Sequence, residues 1–181
     1  SIAGDATNGL KTTVTTLTLG GLTGNKDFAN VFTTTSGGYS TVTALTLNPG
    51  AGVTNAYSGA IANGAAGMTL TKTGAGTQVL SGTNTYTGGT VINAATTGST
   101  YPGGTTNLSG QPGSILIPGN LTLSGGAAVT ENTNQGQIAA ASNVTINGTG
   151  TLTLIGTNTR SSLTSNSSGG TAAPTANTGT G

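Results

Sequence analysis

Only seven residues of this chain carry charge: Asp5, Asp27 and Glu131 against Lys11, Lys26, Lys72 and Arg160, in 181 residues. Polysaccharide cleavage needs two carboxylates flanking one bond, and a calcium site needs several carboxylate oxygens around one point. The closest pair of acids, Asp5 and Asp27, stand more than twenty residues apart, and three acids leave folding little to bring together. Glu131, in VTENTNQGQ (129–137), reads as a solvated turn residue. Lys72 reads as an exposed side chain beside a turn. The chain has no Cys, His or Trp. Disulfides, thiolate and imidazole metal ligands, and Ser-His or Cys-His nucleophile pairs are therefore excluded. GAGT (74–77) and YTGGT (86–90) are Gly-rich, but no GxxxxGK[ST] phosphate loop occurs. Nothing in the sequence supports a Lys–Asn isopeptide cross-link near Glu131. The expectation is no catalytic residue, no metal and no cofactor, so not an enzyme.

Partners are bounded in the same way. Four cations and a net charge of +1 cannot build a phosphate-binding face, so no nucleic acid is expected. The apolar runs are far too short for a membrane-spanning helix. Five Asn-x-Ser/Thr sites (Asn107, Asn120, Asn143, Asn147, Asn166) are what so Asn- and Thr-rich a chain contains by chance. Ser1 in place of Met, with no leader, is expected of a processed product or an excised segment. The absence of Cys suits a protein exported unfolded.

The elements follow from composition. Thr (41), Gly (33), Asn (17) and Ser (15) make up 106 of the 181 residues. At 4 % charged, against about 25 % in ordinary soluble domains, such a chain could be disordered. Disorder, however, usually brings high net charge and few β-branched residues. Here the apolar residues cluster in short alternating runs: TVTTLTLGG, TVTALTLNPG, GMTLTKTG, TQVLSG, TVINA, SILIPGN, NLTLSGG, NVTING and TLTLIG. Alternation with Thr puts aliphatic side chains on one face of a strand and Thr on the other. Gly, Asn or Pro closes nearly every run, which marks turns. No stretch has a sustained 3.6-residue apolar stripe.

Two all-β architectures compete. A sandwich or barrel normally has a larger aromatic core than six rings can supply: Phe28, Phe32, Tyr39, Tyr57, Tyr86 and Tyr101. A solenoid needs only a narrow core of like residues stacked rung on rung. TLTLGG (16–21), ALTLNPG (44–50), NLTLSGG (120–126) and TLTLIG (151–156) are near-copies of one rung element. The sequence therefore predicts a right-handed parallel β-helix (β-solenoid) with irregular turns and protruding loops. Residues 1–160 are read as one domain, with a protruding loop at 96–113. Residues 161–181, nearly free of aliphatics, are read as a polar, loosely packed tail or assembly segment.

Residues 68–94, MTLTKTGAGTQVLSGTNTYTGGTVINA, carry the densest motif. Leu70, Lys72, Gly74, Gly76, Thr77, Leu80, Ser81, Gly82, Asn84, Thr85, Tyr86, Thr87, Gly88, Gly89, Thr90, Ile92 and Asn93 keep one spacing. Read physically, the glycines sit where a coil turns corners and positive φ is tolerated. Asn84 and Asn93 can bond turn backbone or stack into ladders. Tyr86 is expected to pack its ring over a corner, hydroxyl toward solvent. These seventeen positions resemble the autotransporter-associated β-strand repeat of passenger domains in bacterial type V secretion. AYSGAIANGAAG (56–67) resembles the lead-in to that repeat, and 115–156 the rungs that follow it. Gln78 stands where the family usually has Leu, so one inward slot is polar or shifted. Ala94, Ala95, Thr96 and Thr97 replace the usual Gly-x-Leu strand start. The membrane barrel of a complete autotransporter has no counterpart here, which implies a passenger-like segment or use of the repeat in another export system.

The resemblance implies an extracellular protein on the bacterial outer surface, with a structural role as stalk or fibre. Neither end shows a capping helix, and the first and last rungs look as pairable as the middle ones. Head-to-tail stacking with other copies of the chain is the partner this predicts. Two alternatives remain: an adhesin passenger fragment binding host or surface glycans, and an ice-binding solenoid. The latter rests on Thr-x-Thr at 16–18, 41–43, 69–71, 83–85, 85–87 and 151–153; irregular rung spacing is expected to break such a ladder.

Overall fold

A four-residue strand of alternating Thr and Leu cannot bury its apolar face by itself. It needs like strands on either side and a second layer opposite. The computed structural model, which describes residues 9–32, 38–93, 104–167 and 173–178, meets that need by coiling. Its strands are β1 (Thr16–Leu19), β2 (Ala44–Leu47), β3 (Thr54–Tyr57), β4 (Thr69–Lys72), β5 (Thr77–Leu80), β6 (Thr90–Asn93) and β7 (Thr105–Leu108). They continue as β8 (Leu121–Ser124), β9 (Ala128–Glu131), β10 (Asn143–Asn147), β11 (Thr151–Leu154), β12 (Ser162–Asn166) and β13 (Thr175–Thr178). The only helical element among the described residues is a 3₁₀ turn at Phe28–Val31.

Every strand pair is parallel, and strands pair with the next turn of the chain rather than with their neighbour in sequence. One sheet runs β1-β2-β4-β6-β8-β10-β12 and the other β3-β5-β7-β9-β11-β13. The chain crosses the first sheet, then the second, then a third side of irregular backbone before it re-enters the first. On that third side Thr85 N donates to Ile61 O, Asn84 N to Ile115 O and Ala139 N to Ile117 O. The protein is thus an all-β parallel solenoid.

Side chains stack in columns because the register never slips. The inner column Leu17, Leu45, Leu70, Thr90, Leu121, Val144 and Leu163 runs the length of the first sheet. Its members from Leu45 to Val144 are buried, each aliphatic one contributing about 1.5–3 kcal/mol. Beside it on the outer face stand Thr18, Thr46, Thr71, Val91, Thr122, Thr145 and Thr164. This corrects the expectation of a broken ladder. Strand starts in the first sheet are separated by as few as 19 residues (Asn143 to Ser162) and as many as 31 (Thr90 to Leu121). The corners and the third side absorb the difference.

Further expectations are corrected by where the strands fall. The loop at 96–113 contains β7, a full member of the second sheet; residues 94–103 lie outside the described structure. The tail after residue 160 contains β12 and β13, which extend both sheets although all their residues are exposed. TLTLIG, the fourth near-copy, forms β11 in the second sheet, whereas TLTLGG, ALTLNPG and NLTLSGG supply strands of the first. In SILIPGN the buried residues are Leu116 and Ile117, not the alternating pair Ile115 and Ile117.

Candidate functional site

The seventeen motif residues lie along one turn of the coil, from β4 through β5 and the third side to β6, where Leu70 comes to stand opposite Thr90. Leu70, Leu80 and Ile92 supply its core. The motif's lysine is not at the surface. Lys72 points inward, 1 % exposed, and folds over its own corner. Its Nζ donates to Gly74 O at 2.9 Å and to Gly76 O at 2.5 Å. The Lys-x-Gly-x-Gly spacing is what lets an ammonium reach carbonyls two and four residues ahead. Burial pushes this amine from its ordinary 10.5 down to about 8.

The motif glycines do two different jobs. Gly74 has φ +71°, the left-handed turn position expected of a corner. Gly76, Gly82 and Gly88 do not. A Cβ on Gly76 would run into Gly50 O, one on Gly82 into Gly59 O, and one on Gly88 into Gly67 O. Gly104 and Gly119 press on Gly74 O and Gly88 O in the same way. The corners are columns of stacked backbone with no room for a side chain. Gly89 has only Asn120 O nearby, at 3.5 Å.

The polar motif residues tie successive turns together. Asn84 accepts from Ile61 N at 2.8 Å and donates to Leu116 O at 2.7 Å, bridging the turns on either side. The Tyr86 hydroxyl, expected in solvent, is buried against Thr90 Oγ1 at 2.6 Å, and burial raises its pKa. Thr87 exchanges bonds with Asn63 and accepts from Gly67 N. Ser81 N donates to Tyr57 O, Thr77 lines the outer face and Thr85 is exposed. Asn93 begins a polar column with Ser124, Asn147 and Asn166, in which Asn166 Nδ2 donates to Asn147 Oδ1 at 2.9 Å. Gln78 fills its inward slot as a polar residue. It accepts from Leu22 N and donates to Leu22 O and Asn55 O, clamping a strandless part of the first turn.

Glu131, expected as a solvated turn residue, is instead buried. It is the last residue of β9, 1 % exposed, and faces into the coil. It accepts from Gln137 N at 2.9 Å, Ile155 N at 3.2 Å and Asn158 Nδ2 at 2.9 Å, with Arg160 Nη2 at 3.6 Å. Asp27 accepts from Ala60 N at 2.8 Å; Asp5 lies outside the described residues. The two described acids are thus each engaged by backbone N–H groups. No group of three or more His, Cys, Asp or Glu stands together among the described residues. No helix there is long and apolar enough to cross a membrane.

The surface is as plain as the interior is specific. Phe28, Phe32, Tyr39, Tyr57 and Tyr86 are all buried. Phe28, Phe32 and Tyr39 pack edge-on or tilted at 4.8–5.3 Å inside the first turn. Beside them an apolar cavity of about 470 Å³ opens at that end of the coil, lined by Leu17, Leu19, Leu22, Phe28, Val31 and Phe32 among others.

Residues 70–97 match the passenger-associated-transport-repeat, a repeat family of autotransporter passenger domains. The match starts in β4 and takes in β5 and β6, so it covers the turn from Leu70 to its rung-mate Thr90 and continues beyond it. No curated protein and no solved structure matches the chain. A β-solenoid carrying this repeat fits a segment of an autotransporter passenger, and the family suggests a secreted or surface-exposed protein.

Proposed function

We propose that this chain is a non-enzymatic structural segment of a bacterial surface passenger, a stiff stalk or fibre element that lengthens by head-to-tail stacking. The observation that carries the reading is that, among the described residues, the first and last rungs of the first sheet leave their apolar positions partly uncovered and share one register. At one end Leu17 and Leu19, whose column-mates in the interior turns are buried, remain partly exposed beside the apolar cavity. At the other, Leu163 of β12 is 53 % exposed in the same column as Leu17. A last rung laid on a first rung continues the Leu17 and Thr18 columns without a shift. Such a contact is heterologous and grows into an open filament. Backbone hydrogen bonds along the axis then supply stiffness, as they do inside the coil. Light scattering and negative-stain microscopy over a concentration series test this. Particles of constant width and rising length are expected, and Leu163→Lys is expected to shorten them. A strictly monomeric particle at high concentration would refute the stacking.

A further inference from the structure

We propose that the outer face of the first sheet binds the surface of crystalline water. The outer column from Thr18 to Thr164 holds threonine on six of its seven rungs, and the exception, Val91, keeps the branched shape. Parallel pairing spaces these rungs evenly, about 4.8 Å apart. Each threonine rung therefore presents one methyl and one hydroxyl at a fixed repeat, and Val91 presents two methyls. Threonine is stiff at χ1, so these groups are ordered before any ligand arrives.

The column's hydroxyls differ from those beside it. Those of Thr41, Thr43 and Thr69, at the edge of the sheet, donate to the carbonyls of Val14 and Thr15 or of Thr43 in the previous turn. Those of the outer column make no such bond to the described residues. Charge, which would hold its own disordered hydration shell, is missing from the face. Lys72 and Glu131, the charged residues of the described strands, both point inward. A regular, uncharged, rigid array of hydroxyls and methyls complements a lattice plane of ice better than it complements any soluble small molecule.

Ice recrystallisation and thermal hysteresis measured on the purified chain test the proposal. Recrystallisation inhibition is expected for the parent chain. It is expected to be lost in Thr71→Lys/Thr122→Lys and kept in Gln111→Lys/Ala51→Lys, which adds the same charge at exposed turns. Melting curves check that both variants remain folded. Should the face variant misfold, Thr71→Ser/Thr122→Ser, which removes only methyls, gives the same comparison with a milder change. No inhibition by the parent chain, or equal inhibition by folded parent and face variants, overturns the proposal.

Discussion

Lys72, Glu131 and Tyr86 are polar side chains that the coil takes inside. Lone charges belong in water by default. Here the corner carbonyls of Gly74 and Gly76, and the N–H groups of Gln137 and Ile155, give them partners. Alternation did contain the signal for Lys72, since it follows Leu70 by two residues and must share its face. Buried without a counter-charge, Lys72 makes stability depend on pH. Its amine titrates near 8 when folded and near 10.5 when unfolded. Between those values the unfolded chain binds more protons, so stability rises with pH. Above pH 10 the sign reverses: burial raises Tyr39, Tyr57 and Tyr86, so the unfolded chain ionises first. Urea midpoints measured from pH 7 to 11 should therefore climb from about pH 8 and fall past about pH 10. Lys72→Met should flatten the climb and leave the fall.

At the scale of elements, runs with two large apolar residues close together are legible as strands, and segments with one or none are not. β2 buries Leu45 and Leu47, and β8 buries Leu121 and Leu123. β7 has Thr106 in one slot, and β9 has Glu131. β12 and β13, after residue 160, bury nothing. Pairing with a well-formed neighbour makes these segments strands, and that information is non-local. The glycines were legible as corners, but only stacking shows why Gly76, Gly82 and Gly88 are required: the limit is the carbonyl below them rather than their own φ. That difference is measurable. Gly113 sits at φ +80° in open space, so Gly113→Ala should cost only the left-handed strain, about 1 kcal/mol. Gly88→Ala has no unusual φ to strain but drives a methyl into Gly67 O. It should cost clearly more, about 3 kcal/mol or above, because two turns must separate to admit it. Thermal melts of the two variants side by side check the order; equal costs would mean the corner stack is not tight.

For the whole molecule, stability is a sum of turns and of contacts between neighbouring turns, so it must fall toward the ends. The interior turns bury their columns fully, whereas the rung of β12 and β13 buries nothing of its own. Besides its ladders to β10 and β11, the corner at Glu131 ties that rung down. Its carboxylate holds Ile155 N and Asn158 Nδ2, and Asn158 Oδ1 holds Gly136 N and Arg160. One buried acid thus fastens the turn after β11 to the turn after β9. Replacing it with the isosteric amide keeps the shape but leaves one oxygen for three donors, and strips Arg160 of its counter-charge. Glu131→Gln should cost about 3 kcal/mol. That loss should fall on the end of the coil, because centre and end are coupled only through the turns between them. In hydrogen exchange of the parent chain, amides of β4, β6 and β8 should be the slowest and those of β12 the fastest among the strands. In Glu131→Gln, amides from Ile155 through β12 should lose protection while β4 and β6 keep theirs. Uniform loss along the chain would mean the coil unfolds as one unit. The same amides report on stacking, since the free edge of β12 is where a first rung would land. Their protection should rise with protein concentration in the parent chain, and should not in Leu163→Lys.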